Sequence, residues 1–210
     1  MPSGGSLKRL VADGYDSMAD VYLDRLRGKR SPEITQYIDR ATESIDDGAR
    51  VLDLGCGAGR PYVEYLSARF DVVGVDISQR QLALARRFVP RASFLLADMA
   101  TLPFGSATFA AITALYSIIH VPREEHEALF ARMLELLEPG RRLFAVMGRN
   151  DWVDSESNWL DSGVDMYWSH FDADTNLRLV QEAGFRVIRS DIVPDPLGGG
   201  HLYVLAERPA

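Results

Sequence analysis

Apolar residues recur along this chain with two different periods, and the change from one to the other divides it. Over residues 7–26, Leu7, Leu10, Val11, Tyr15, Met18, Val21, Tyr22 and Leu26 fall at helical intervals. Gly14 interrupts the series, which predicts two short helices joined there. A charged run at 25–30 reads as a solvated connector. Ser31-Pro32-Glu33 then offers an N-cap and a proline at the first helical position. The helix it opens turns Ile34, Tyr37, Ile38, Ala41 and Ile45 inward and ends near Asp47-Gly48.

From Arg50 onward, short continuous apolar runs replace the helical spacing. Strands are expected at 50–54, 70–76, 92–97, 109–115 and 142–147, with helices between them from the glycine loop to about residue 70, at 79–88 and from Pro122. Strands alternating with helices imply right-handed crossovers and a parallel sheet covered on both faces. The C-terminus departs from that pattern. After a helix at 172–183, strands at 185–192 and 201–206 are separated by a linker too short for a crossover, so they should pair antiparallel. The expected architecture is an α/β, doubly wound sheet of seven strands, mostly parallel with the last antiparallel. It forms one domain over residues 1–210, with a helical cap at about 5–47 and a cover insertion at about 148–171. All three tryptophans, Trp152, Trp159 and Trp168, lie in that cover beside Tyr167 and His170.

Composition narrows the partners. At 210 residues and 47% hydrophobic content, the chain suits one medium domain with a substantial core. The formal net charge of -7 and the lack of a long basic cluster argue against nucleic acid or an anionic membrane as partner. No apolar run approaches the roughly 20 residues that span a bilayer, and Met1-Pro2-Ser3-Gly4-Gly5 lacks a signal-peptide core, so a cytoplasmic location is expected. The single cysteine, Cys56, forms no internal disulfide, and no Cys/His group has zinc-ligand spacing; no metal is expected. Oligomeric state is not legible.

Chemistry concentrates in Val51-Leu52-Asp53-Leu54-Gly55-Cys56-Gly57-Ala58-Gly59, a strand running into a loop of alternating glycines. Glycine lets a ligand approach the backbone, including its amides, at the strand's C-terminal end. Arg60 stands where a dinucleotide fingerprint has its third glycine, and the Gly-Lys-Ser/Thr end of a phosphate loop is missing. Asp53, just before the loop, repels a pyrophosphate and attracts an ammonium, directly or through water.

With Asp53, Gly55, Gly57 and Gly59 matching Asp-x-Gly-x-Gly-x-Gly, the sequence resembles the class I S-adenosylmethionine-dependent methyltransferases over about residues 15–206. The resemblance implies a Rossmann-like fold and S-adenosylmethionine as cofactor. It assigns Gly55, Cys56 and Gly57 to the methionine and sugar portions, Asp76 to the ribose hydroxyls and Ile77 to the adenine. A carboxylate accepts from two vicinal hydroxyls at once, and Asp76 lies roughly 20 residues past the loop, as ribose-binding acids do. Asp98 and Met99 are assigned to the adenine amino group and ring, and Leu115 completes the set at the fourth strand end. Tyr15 and Tyr22 sit in a segment similar to the family's N-terminal Tyr-Asp segment, which folds over the cofactor; one of them is expected on the methionine carboxylate.

For catalysis, Leu115-Tyr116-Ser117-Ile118-Ile119-His120 occupies the position where the family places the acceptor. His120 is the first candidate general base, His170 the second and His201 a distant third. The bland alternative for His120 is a helix cap or pocket wall. His126 is expected to be solvated, and Cys56 to be a small loop residue without catalytic part. The Asp/Asn-Pro-Pro-Tyr/Phe signature of base and glutamine methylation is absent, as is a carboxylate cluster for metal-dependent catechol methylation. The expected acceptor is a small, largely apolar or aromatic metabolite with an oxygen or nitrogen nucleophile. The rivals are a non-catalytic binder of S-adenosylmethionine or S-adenosylhomocysteine, and a nicotinamide oxidoreductase, which Arg60 disfavours.

Overall fold

A computed structural model describes residues 4–26, 30–194 and 199–210. Parts of the expected connector (27–29) and of the C-terminal linker (195–198) lie outside the described residues, as do residues 1–3 at the N-terminus.

The elements follow in the order α1 (Gly4–Leu26), α2 (Pro32–Thr42), β1 (Arg50–Leu54), α3 (Tyr62–Leu66), β2 (Asp71–Asp76), α4 (Gln79–Phe88), β3 (Ser93–Leu96), β4 (Phe109–Leu115), α5 (His126–Leu136), β5 (Leu137–Gly148), β6 (Trp152–Glu156), β7 (Met166–His170), α6 (Ala173–Glu182), β8 (Arg186–Val193) and β9 (His201–Glu207). Seven strands form one sheet in the order β3-β2-β1-β4-β5-β9-β8. β9 runs antiparallel to both β5 and β8 and the remaining pairs are parallel, which is the expected α/β architecture.

Both faces of the sheet are buried, so its central strands are apolar throughout rather than alternating. Leu52, Leu54, Val73, Val75 and Ile112 meet Phe130 and Met133 of α5 and Val180 of α6 on one face. On the other, Val51, Val72 and Phe144 meet Ile34, Tyr37 and Ile38 of α2 and Leu82 of α4. Deleting any of these large buried side chains should cost about 2–5 kcal/mol.

Several boundaries differ from the sequence expectation. The N-terminal segment is one 23-residue helix rather than two. Gly14 lies inside it because β7 and the chain before it crowd that face: a Cβ there would stand 3.1 Å from Met166 Cε and 3.2 Å from Val164 Cγ1. α3 stops at Leu66, where the bonds tighten to Ala68 N–H on the Tyr65 carbonyl and Arg69 N–H on that of Leu66. Pro122 heads a 3-10 turn at 123–125, and α5 begins only at His126. β5 begins at Leu137, and Pro139-Gly140 forms a bulge within it, with Gly140 at φ +74°. The expected cover holds a hairpin of its own, β6 paired antiparallel with β7.

That hairpin and α1 meet above the C-terminal ends of β1, β2 and β4. Val11 and Met18 of α1 pack on Met166 and Tyr167 of β7, while Ala19 packs on Ala58 and Leu84. Asp16 fastens α1 to the start of α4, accepting from Ser78 Oγ at 2.5 Å and from Arg80 N–H at 2.9 Å.

Candidate active site

β1 ends at Leu54 because the next residue must adopt φ +74°, which glycine alone adopts freely. A Cβ on Gly55 would also lie 2.2 Å from Ser117 Cβ, where the chain leaves β4. The loop's first amides are not free for a ligand. Gly55 N–H and Cys56 N–H both donate to the Val75 carbonyl (2.8 and 3.0 Å), and Gly57 N–H donates to Asp76 Oδ2 at 2.7 Å. This corrects the expectation of amide contacts there. A phosphate cradle needs unspent N–H donors, and here they are consumed.

Beneath the loop lie two acids, Asp53 buried and Asp76 half-buried. Burial pushes the Asp76 carboxyl up to about 6, against the Ser78, Gly57 and Ile77 N–H groups that draw it down. Burial likewise lifts Asp53 to about 6, although it accepts from Thr113 Oγ1 at 2.5 Å. Neither carboxylate has an ion-pair partner among the described residues. Two such groups favour a ligand that brings hydroxyl donors or positive charge.

A cavity opens between this floor, α1 and the turn after β4. Of the residues singled out from the sequence, Tyr15, Tyr22, Gly55, Gly57, Asp76, Ile77, Met99, Leu115 and His120 line it. Asp53, Cys56, Asp98 and His170 do not. Asp53 points to β4, and Cys56 is buried under the loop against Gly74, its thiol pushed well up by burial. Asp98 caps the 3-10 turn at 99–101 through Ala100 N–H and gives its other oxygen to Lys8 Nζ at 2.6 Å. His170 lies over Gly148, with Nδ1–H on the Asn150 carbonyl.

Sequence reasoning missed Lys8, Val11, Val75, Gln81 and Ala97 in the lining, whereas Tyr116, Ser117 and Val121 belong to the stretch after the fourth strand that was expected on the acceptor side. Ser117 had a signal in its position after the fourth strand; Lys8 had none, since only the fold of α1 brings it to Asp98 and Glu125. Tyr116 adopts φ +55°, a strained conformation for a bulky residue, and its hydroxyl lies 2.9 Å from that of Tyr203.

The end of the cavity near His120 is aromatic. His120 is 7% exposed, and burial lowers it to about 4, so its ring is neutral at pH 7. Its Nδ1 lies 2.7 Å from the Tyr167 carbonyl, which only accepts, so the proton is on Nδ1. Nε2 is then a bare acceptor, and Tyr15 O–H donates to it at 2.9 Å. Trp168 lies 4.5 Å from the His120 ring, and Trp159 meets Tyr15, Tyr22 and Trp168. His126, expected in solvent, is fully buried: it donates Nε2–H to the Val121 carbonyl and packs on Phe130 and Phe171.

No helix among the described residues is long and apolar enough to cross a membrane. A family model described as a methyltransferase domain matches residues 51–140. An O-methyltransferase of Penicillium expansum is 30% identical over 203 residues, covering 85% of this chain and 72% of that protein. The 27-O-demethylrifamycin SV methyltransferase of Amycolatopsis mediterranei is also 30% identical, over 63% of this chain and 56% of its own length. Among solved structures, the Burkholderia thailandensis 1,6-didemethyltoxoflavin-N1-methyltransferase, bound to 1,6-didemethyltoxoflavin and S-adenosylhomocysteine, superposes with a TM-score of 0.73 at 21% identity, over 100% of this chain and 92% of that one. The [4+2]-cyclase SpnF superposes with a TM-score of 0.71 at 19% identity, over 95% of this chain and 96% of that one, so the fold alone does not fix a reaction. Sequence relationship over most of both chains, together with the fold, decides the matter: the chain belongs to the class I S-adenosylmethionine-dependent methyltransferase family.

Proposed function

We propose that this methyltransferase acts on an oxygen or nitrogen of a small, largely apolar or aromatic acceptor, with His120 as general base. The observation that carries the reading is the fixed tautomer of His120, a cavity-lining residue, with Nδ1–H held on the Tyr167 carbonyl and the unprotonated Nε2 accepting from the Tyr15 hydroxyl. The similarity to the Penicillium O-methyltransferase and the Burkholderia N-methyltransferase supports the class of acceptor.

The cavity residues fit S-adenosylmethionine on the structure's own terms. Asp76 is a half-buried carboxylate with no ion-pair partner among the described residues, suited to the ribose hydroxyls. Gly55 and Gly57 leave the loop backbone open where methionine and sugar would lie, and Ile77 and Met99 supply apolar surface for the adenine. Leu115 lines the cavity at the end of β4, and Tyr15 and Tyr22 line it from α1. Asp53, one layer below, contributes negative potential through the loop, whereas the charge of Asp98 at the rim is neutralised by Lys8. Cys56, outside the lining with its N–H and carbonyl both engaged within the protein, keeps the loop in shape.

When bound, S-adenosylmethionine supplies an electrophilic methyl carbon on a sulfonium whose leaving sulfide is neutral, so an acceptor hydroxyl becomes strongly acidic as its oxygen is methylated. His120 Nε2 takes that proton. A base held at about 4 suffices for so acidic a proton, and the imidazolium keeps its Nδ1–H on the Tyr167 carbonyl. The acceptor's hydroxyl takes the place of the Tyr15 hydroxyl at Nε2. The Tyr15 and Tyr116 rings line the cavity and hold the acceptor in line, with Trp159 and Trp168 packed behind Tyr15 and His120, which is much of what such a displacement requires. His170, pinned to Asn150 outside the lining, is left a supporting part in the hairpin.

The test is an acceptor screen with methyl-labelled S-adenosylmethionine across phenols, alcohols and amines. Label is expected in a hydroxyl- or amine-bearing aromatic compound, and to be lost with His120→Ala while S-adenosylhomocysteine still binds. Unchanged turnover by His120→Ala would remove it as the base.

A further inference from the structure

Ser78-Gln79-Arg80-Gln81 has the spacing of a helix capping box, in which a residue-three glutamine folds back to accept the N–H of the capping serine. Half of that box forms. Ser78 is the N-cap of α4, and its Oγ accepts from Gln81 N–H at 3.0 Å. The other half is pre-empted, because Ser78 N–H donates instead to Asp76 Oδ1 at 2.9 Å. The Gln81 side chain is therefore left over. It is 2% exposed, neither its Oε1 nor its Nε2 has a hydrogen-bond partner, and it lines the cavity. A buried carboxamide with both atoms unpaired costs about 1–3 kcal/mol per group unless a ligand pairs it.

The neighbours indicate which ligand group. Oε1 of Gln81 would lie 3.8 Å from a Cβ on Gly57, and Gly57 N–H is on Asp76 Oδ2. Gln81 and Asp76 thus flank the same glycine. Each Asp76 oxygen already accepts one backbone N–H, so the carboxylate offers only further acceptor sites. A hydroxyl that donates to it still has its own lone pairs to satisfy. An amide N–H beside it meets that need, and the amide oxygen accepts from the neighbouring hydroxyl. A vicinal diol has that pattern of donors and acceptors.

We infer that Gln81 is a specificity-determining residue, the amide partner of Asp76 in recognising the vicinal hydroxyls of the cofactor's sugar. The inference rests on the ribose assignment of Asp76 and adds that the sugar hydroxyls are read as acceptors as well as donors.

The experiment compares the full chain with Gln81→Met and Gln81→Leu, which remove both polar atoms at similar volume. Each is titrated calorimetrically with S-adenosylhomocysteine and with its 2′-deoxy and 3′-deoxy analogues, and each is melted without ligand. The wild type should prefer S-adenosylhomocysteine over at least one deoxy analogue by about tenfold or more, the scale of one or two neutral hydrogen bonds. Both variants should lose about tenfold in affinity for S-adenosylhomocysteine and bind that analogue as the wild type does, so the preference collapses. Their melting temperature without ligand should equal or exceed that of the wild type, since unpaired polar atoms leave the interior. Wild-type affinity and discrimination in both variants would overturn the inference, as would a lowered melting temperature in both, which would mean that the amide pairs within the protein. Failure of the wild type itself to bind S-adenosylhomocysteine would instead overturn the cavity assignment beneath it.

Discussion

The floor of the cavity, from Gly55 to Asp76, is made by neighbours on adjacent strands, whereas the end around His120 is assembled from α1, the turn after β4 and the β6–β7 hairpin, segments far apart in sequence. The two ends hold their key groups by different means. Asp76 is fixed by backbone N–H groups within two residues of it and from the facing loop. His120 is fixed by a carbonyl of β7 and a hydroxyl of α1, separated from it by 47 and 105 residues. The floor is thus a property of the sheet, and the acceptor end a property of how two covers dock. Damage to one should leave the other's function standing.

The largest separation is expected from Asp76→Ala, which removes the proposed acceptor for two sugar hydroxyls. Its affinity for S-adenosylhomocysteine should fall on the order of 10²–10⁴-fold by calorimetry, with a cooperative thermal transition retained. Retained affinity in the folded variant would break the floor's assignment. His120→Ala should lower kcat on the order of 10²-fold with an identified acceptor, the lower end for a general base because its pKa is so far depressed.

pH offers a finer division. Asp76 in the free protein takes up a proton near 6, and a ligand that donates to the carboxylate prefers the ionised form. Affinity is therefore full above about 6 and weakens as pH falls through it, approaching tenfold per pH unit. His120 protonates only near 4, so kcat at saturating cofactor should stay flat from pH 8 down to about 5. A kcat that falls with an apparent pKa near 6.5 would show a solvent-exposed base. The smallest effect is expected from Lys8→Met, which frees α1 from Asp98 and Glu125. A loss of about 1 kcal/mol should appear as a melting point lower by about 2–4 °C, with faster proteolysis within residues 4–26.

The same contrast governs what the sequence disclosed. β1, β4 and α4 were legible because their residues form apolar runs or caps that decide structure locally, and Gly55, Gly57 and Asp76 because strand-end chemistry repeats at short spacing. α1 was misread at Gly14, whose reason for being glycine lies in Met166 and Val164. His126 was misread because its burial depends on Phe171, 45 residues further on. The hairpin's exposed β6 residues carry no apolar alternation that would announce a strand. Gln81 was hidden differently: its spacing reads as a complete capping box, and only the geometry shows Asp76 taking the serine N–H.

The most direct test of the division is a calorimetric titration of His120→Ala with S-adenosylhomocysteine, which needs no knowledge of the acceptor. A dissociation constant within about threefold of wild type is the result predicted for a residue that serves the acceptor's proton. A loss as large as that of Asp76→Ala would contradict the account, because His120 would then belong to the cofactor's site.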